Sequence, residues 1–123
     1  MNKEIVYISG PISEVADDEA EVAFFSAEKN LKKLGFDTLN PMHIASPSVL
    51  YSKPKKRRRV EKEGEWSYYM REALLMLMGA DAIFMLRGWE SSKGAKIEHD
   101  LGKTLGFEML YEDEVVLSCM NGR

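Results

Sequence analysis

Ala82-Ile83-Phe84-Met85-Leu86-Arg87-Gly88-Trp89-Glu90-Ser91-Ser92-Lys93-Gly94-Ala95-Lys96-Ile97-Glu98 reads as three successive pieces of structure. Residues 82–86 are an uninterrupted apolar run, the pattern of a strand buried on both faces near the middle of a sheet. Arg87 to Ser92 interrupts it with a glycine and polar side chains, as a loop does. A helix then follows from about Lys93 to Leu105, with Ser91 or Ser92 as its N-cap and Gly106 as its stop.

The same alternation extends in both directions. Ile5-Val6-Tyr7-Ile8 is a short strand ending at Ser9-Gly10-Pro11. Ala20, Ala23, Phe24, Ala27, Leu31 and Leu34 recur in steps of three and four, which predicts a helix, and Gly35 terminates it. Phe36-Asp37-Thr38-Leu39 is a second strand, so the first forty residues make a β-α-β unit of the kind that gives parallel pairing. Further on, Trp66, Tyr69, Met70, Ala73, Leu74 and Leu77 share one face of a helix over 66–78. Phe107 to Tyr111 is a fourth strand, and Val115-Val116-Leu117 is either a fifth strand or a tail. Strands alternating with helices predict a layered α/β fold. Between about residues 44 and 64 lies a long irregular loop that carries the basic run Lys53-Pro54-Lys55-Lys56-Arg57-Arg58-Arg59.

Composition narrows the function classes. The chain has 123 residues and a formal net charge of −3, with 45% hydrophobic and 30% charged residues. That is an ordinary globular mixture, and one domain over 1–123 is expected. No apolar stretch approaches the roughly 20 residues of a bilayer span, and the first residues lack the apolar core of a signal peptide. With one cysteine, Cys119, and two distant histidines, His43 and His99, no metal-ligand spacing is present, and a reducing cytoplasmic compartment is expected. A sequence pI near 5.5 is not that of a generic nucleic-acid binder. The basic run Lys53–Arg59 is read first as a solvated loop and second as a contact to nucleic acid or substrate phosphates. Its likeness to a nuclear-localisation signal is of a kind that arises often by chance.

Open parallel sheets bind ligands outside the carboxyl ends of their strands, so the loops after the strands are the candidates. They are Ser9-Gly10-Pro11, then Asn40-Pro41-Met42-His43, then Trp89 to Ala95 with Glu98 one turn into the helix. Ser91, Ser92 and Gly94 at a helix start offer hydroxyls and free amides to an anion. Glu98 would present a carboxylate beside it, as nucleophile or base, but a solvated glutamate or a capping partner fits the spacing as well. Strand alternation puts Tyr7 and Ser9 on one side, and Gly10 lets a backbone approach closely; a plain strand-to-helix turn with Tyr7 in the core fits equally. Trp89 either stacks on a base or covers the core, and Glu72 lies off the apolar stripe of its helix.

Taken together, Tyr7-Ile8-Ser9-Gly10-Pro11, Asn40-Pro41, Trp66 to Glu72, Ala80 to Leu86 and Gly88 to Glu98 resemble the nucleoside 2-deoxyribosyltransferase superfamily. More closely, the chain resembles its small branch common in phages and prophages, the DUF4406 group, over roughly residues 4–111. The resemblance implies a Rossmann-like (flavodoxin-like) three-layer α/β fold with a mostly parallel sheet of four to five strands. It implies cleavage of the N-glycosidic bond of a nucleoside or nucleoside 5′-monophosphate, by hydrolysis or deoxyribosyl transfer, without a cofactor or metal. Glu98 matches the nucleophile of the family's Gly-x-x-x-Glu segment, Tyr7 its orienting tyrosine, and Glu72 the acid that assists the departing base. Ser9 and Gly10 match the turn that contacts sugar or phosphate, Ser92 and Gly94 match the loop that receives the 5′-phosphate in the family's monophosphate hydrolases, and Pro11, Asn40, Trp89 and Ser91 are expected beside them as substrate-binding residues. Ser91-Ser92-Lys93 replaces the acid that many transferases carry before Gly-x-x-x-Glu, which favours hydrolysis. The resemblance also implies a homo-oligomer (a dimer or larger), and in this chain the apolar face of helix 66–78 and Trp89 offer contact surfaces for one. The alternative is a non-catalytic protein of the same fold that binds or sequesters a nucleotide.

Overall fold

The computed structural model describes residues 3–44 and 62–114. The basic run, the proposed strand Val115–Leu117 and Cys119 lie outside the described residues.

Four strands are described: β1 (Ile5–Ser9), β2 (Asp37–Leu39), β3 (Ala82–Met85) and β4 (Glu108–Tyr111). They form one all-parallel sheet in the order β2-β1-β3-β4. In the central pair, Tyr7 stands opposite Ile83 and Ser9 opposite Met85. The connecting helices are α1 (Asp17–Lys33), α2 (Lys62–Leu77) and α3 (Lys93–Leu105). α2 begins at Lys62, four residues before the first apolar position of its stripe and inside the span expected as loop. Its first turn, Lys62 to Glu65, is polar and carries Gly64, and hydrophobic periodicity has nothing to detect there.

The pleat of the two central strands sorts the core into two halves. Val6 and Ile8 with Ala82, Phe84 and Leu86 point to α1, where Phe24, Ala27 and Leu31 meet them. Tyr7 with Ile83 and Met85 points the other way, to Ala73 and Leu77 of α2 and Ala95 of α3. The result is a Rossmann-like three-layer arrangement, with α1 on one face and α2 and α3 on the other. The full burial of Val6 to Ser9 and of Ala82 to Met85 follows from this double cover.

Helix ends follow the signals expected of them. α1 opens with Asp17, Asp18 and Glu19 and closes with Lys32 and Lys33, complementing its dipole. Ser92 caps α3, its Oγ accepting from the Ala95 amide at 3.2 Å, and Gly106 ends α3 at φ 83°. β1 lies at the point where the strand order reverses: the chain builds outward to β2 and then crosses back to β3. Such a switch point opens a crevice at the carboxyl ends of the strands on either side, here β1 and β3.

Candidate functional site

Four residues of α3 form its buried stripe: Ala95, Glu98, His99 and Gly102. The spacing is that of an apolar face, yet the second position is a carboxylate only 5% exposed. β1 answers it. Tyr7 and Ser9 alternate onto the face covered by α3, and both donate to Glu98. Tyr7 Oη donates to Oε2 at 2.6 Å, and Ser9 Oγ donates to Oε1 at 2.6 Å. Each carboxylate oxygen therefore has its own hydroxyl donor, and the carboxylate plane is fixed between strand and helix.

Burial pushes the Glu98 carboxyl up to about 7, even though the Ser9 and Tyr7 hydroxyls favour its charged form. Burial, reinforced by the neighbouring Glu98, holds the Tyr7 phenol well above its ordinary range, so it remains a protonated donor. Tyr69 is pushed up by the same two causes in the same order.

Glu98 and Tyr7 line a narrow, partly open cleft. Its walls come from the β1–α1 turn (Gly10, Ser13, Glu14), from Trp66, Tyr69 and Met70 of α2, and from Ser92, Gly94 and Ala95 at the start of α3. Lys93 Nζ lies 4.5 Å from the centre of the Trp66 ring, and the Lys93 amide donates to Glu14 Oε2 at 3.4 Å.

The residues expected to form a site divide into two groups. Glu98, Tyr7, Ser9, Gly10, Ser92 and Gly94 come together at this cleft. Glu72, Pro11, Asn40, Trp89 and Ser91 are not among its lining residues. Asn40 is a structural hub: its Oδ1 accepts from the Met42 amide at 2.9 Å, and its Nδ2 donates to Glu28 of α1 at 2.9 Å. Burial raises the Glu28 carboxyl, but Asn40, Lys32 and His43 outweigh it and bring the net shift below the usual value. Trp89 stacks on His99 at 4.0 Å between ring centres and lines a separate cleft with Arg87, Lys103 and Tyr111. Pro11 lines a third recess, beside α1.

Gly10 has a reason other than ligand approach. A Cβ there would lie 2.8 Å from Leu86 Cβ, so the glycine lets the turn after β1 pack against the end of β3. Ser92 likewise has a structural duty as the cap of α3. Sequence reasoning did not single out Glu14, Ser13, Trp66 or Tyr69 as site residues. Glu14 lies in a turn without periodicity, and Trp66 and Tyr69 sit in a stripe that reads as ordinary core.

Among the described residues no group of three His, Cys, Asp or Glu side chains is placed to hold a metal ion, and no helix is long and apolar enough to cross a membrane. No curated protein matches the sequence. A family model does match, over residues 4–111, which takes in every strand and helix described above, the Tyr7–Ser9–Glu98 cluster and the whole cleft. The chain therefore belongs to the DUF4406 family, a domain of unknown function.

Proposed function

We propose that this protein cleaves the N-glycosidic bond of a nucleoside or nucleoside 5′-monophosphate, with Glu98 as nucleophile. The observation that carries the proposal is the buried carboxylate, held by one hydroxyl on each oxygen, among the residues that line a cleft. A solvated or capping glutamate has no need of such a setting. A nucleophile does, because a fixed carboxylate attacks without reorganising. The likeness of the Gly94–Glu98 segment and of Tyr7 to the deoxyribosyltransferase superfamily supports the same role.

The chemistry balances with the groups present. A Glu98 oxygen bonds to the anomeric carbon as the carbon–nitrogen bond breaks and its electron pair leaves with the base. The sugar passes through an oxocarbenium-like state that the carboxylate stabilises, and a glycosyl ester results. Water or a second base then displaces Glu98, with net retention, as in retaining glycosidases. The departing base needs a proton. Glu72 does not line the cleft, and Glu14 is the second carboxyl that does, so Glu14 is assigned that duty.

The position of Glu72 also favours the second reading, a nucleotide-binding protein without turnover. Chromatography separates the two. Wild type incubated with ribo- and deoxyribonucleosides and their 5′-monophosphates should release free base, and Glu98→Gln should lower the rate by at least about a thousandfold. Nucleotide binding without base release by the wild type would establish the second reading. Unchanged release by Glu98→Gln would remove the nucleophile assignment.

A further inference from the structure

The hydroxyl of Tyr69 is the one buried side-chain polar atom among the described residues that has no hydrogen-bond partner. Buried hydroxyls rarely go unpaired, because leaving one unmet costs stability. A phenylalanine would fill the same space without that cost. Tyr69 is also one of the residues that line the cleft together with Glu98, so its unmet hydroxyl belongs to a side chain of that wall rather than to one remote from it. Met70 and Trp66, its neighbours on α2, approach the position where a Gly94 side chain would begin, which fixes this wall against the start of α3.

We infer that Tyr69 is a substrate-binding residue whose hydroxyl pairs with a pentose hydroxyl of the bound nucleoside. The inference deepens the N-glycosidase reading and rests on it for the placement of the sugar. If Glu98 meets the anomeric carbon, the substrate atoms beside it belong to the pentose. The ring oxygen is a poor partner for a phenol donor, because it gains positive charge as the base departs. The pentose hydroxyls carry no such charge and both donate and accept, as the phenol does. The high pKa of Tyr69 keeps it a neutral donor throughout the working pH range.

The test is a cycle between protein hydroxyl and ligand hydroxyl. Binding is measured by calorimetry in the Glu98→Gln background, which prevents turnover, with and without Tyr69→Phe. Adenosine, guanosine, cytidine and uridine are the first probes, followed by the 2′-, 3′- and 5′-deoxy forms of the tightest. Tyr69→Phe should weaken the parent nucleoside about tenfold and leave one deoxy form unchanged, which identifies the hydroxyl contacted. Its thermal stability should equal or exceed that of its parent, because the hydroxyl lost had no partner in the protein. Equal weakening of the parent and all deoxy forms, or no weakening, overturns the inference, as does a large loss of thermal stability. Absence of binding by these nucleosides and by their 5′-monophosphates alike overturns both readings. Selective weakening by Tyr69→Phe, with no base release by the wild type, overturns the N-glycosidase alone and leaves the Tyr69 contact standing.

Discussion

Glu98 is a carboxylate in a position where a helix packed on a sheet ordinarily places an apolar side chain. Its environment pulls in two directions: burial disfavours the charge, while the hydroxyls of Tyr7 and Ser9 favour it. The balance near 7 leaves a carboxyl that is partly protonated at neutral pH. In the proposed mechanism only the ionised form attacks, so kcat/KM for base release should rise with pH through about 7 and level off above it. Tyr7→Phe removes a donor that favours the ionised form, so this rise should move to higher pH and the rate at pH 7 should fall by about tenfold. A pH–rate profile of the two proteins checks both statements. A flat profile between pH 5 and 9 would mean that Glu98 does not titrate in the free enzyme.

The segments that carry the site are held by packing that is separate from its chemistry. The turn after β1 approaches β3 so closely that Gly10 has no room for a side chain against Leu86. Gly10→Ala should therefore destabilise the fold by about 1–3 kcal/mol, as overpacking does, by forcing the turn away from Leu86. Urea denaturation measures the loss, and a stability equal to wild type would show that the turn yields without strain. α3 shows the same division of labour. Ser92 holds its first turn, Gly106 ends it, and between them the stripe Ala95, Glu98, His99 and Gly102 lies on the sheet. The capping serine and the terminating glycine made α3 legible to within a residue at both ends, and the N-cap serine was one of two named. The spacing did not say which face of α3 is buried, because a stripe of Ala, Glu, His and Gly carries little hydrophobic signal. Trp89 and His99 show the same limit: they are far apart in the loop and helix reading, yet stack at 4.0 Å.

The three layers bring β1, α2 and α3 to one cleft although they come from opposite ends of the chain. Tyr7 and Glu98 are 91 residues apart in sequence, and the central position of β1 in the sheet makes them neighbours. The site leaves a mark on the stability of the molecule. Glu98 titrates near 7 when folded and near its ordinary value, 4.5, when unfolded, so between those values the folded state binds more protons. Stability from this group is complete below about pH 4.5 and is lost as pH rises through 7. At pH 8 the buried charge costs up to about 3 kcal/mol, and Glu98→Gln should recover part of it. Thermal unfolding of both proteins at pH 5 and pH 8 tests this: the gain from Glu98→Gln should be larger at pH 8. An equal gain at both values would show that Glu98 is not neutralised in the folded state.

Local chemistry was enough to read the alternation of strands and helices, the central place of β3 and the three loops that flank a parallel sheet's ligand edge. Apolar runs, steps of three and four, glycines and a capping serine are short-range signals, and a single sequence displays them directly. The pairing of Glu98 with both Tyr7 and Ser9 depends on strand order and pleat, which bring distant residues together. The same long-range geometry put Glu14 and Tyr69 into the cleft and kept Glu72, Asn40 and Trp89 out of it. A residue's place on its own helix or loop says which way it can point. Whether anything stands there to meet it is settled by the packing of elements that the chain order separates.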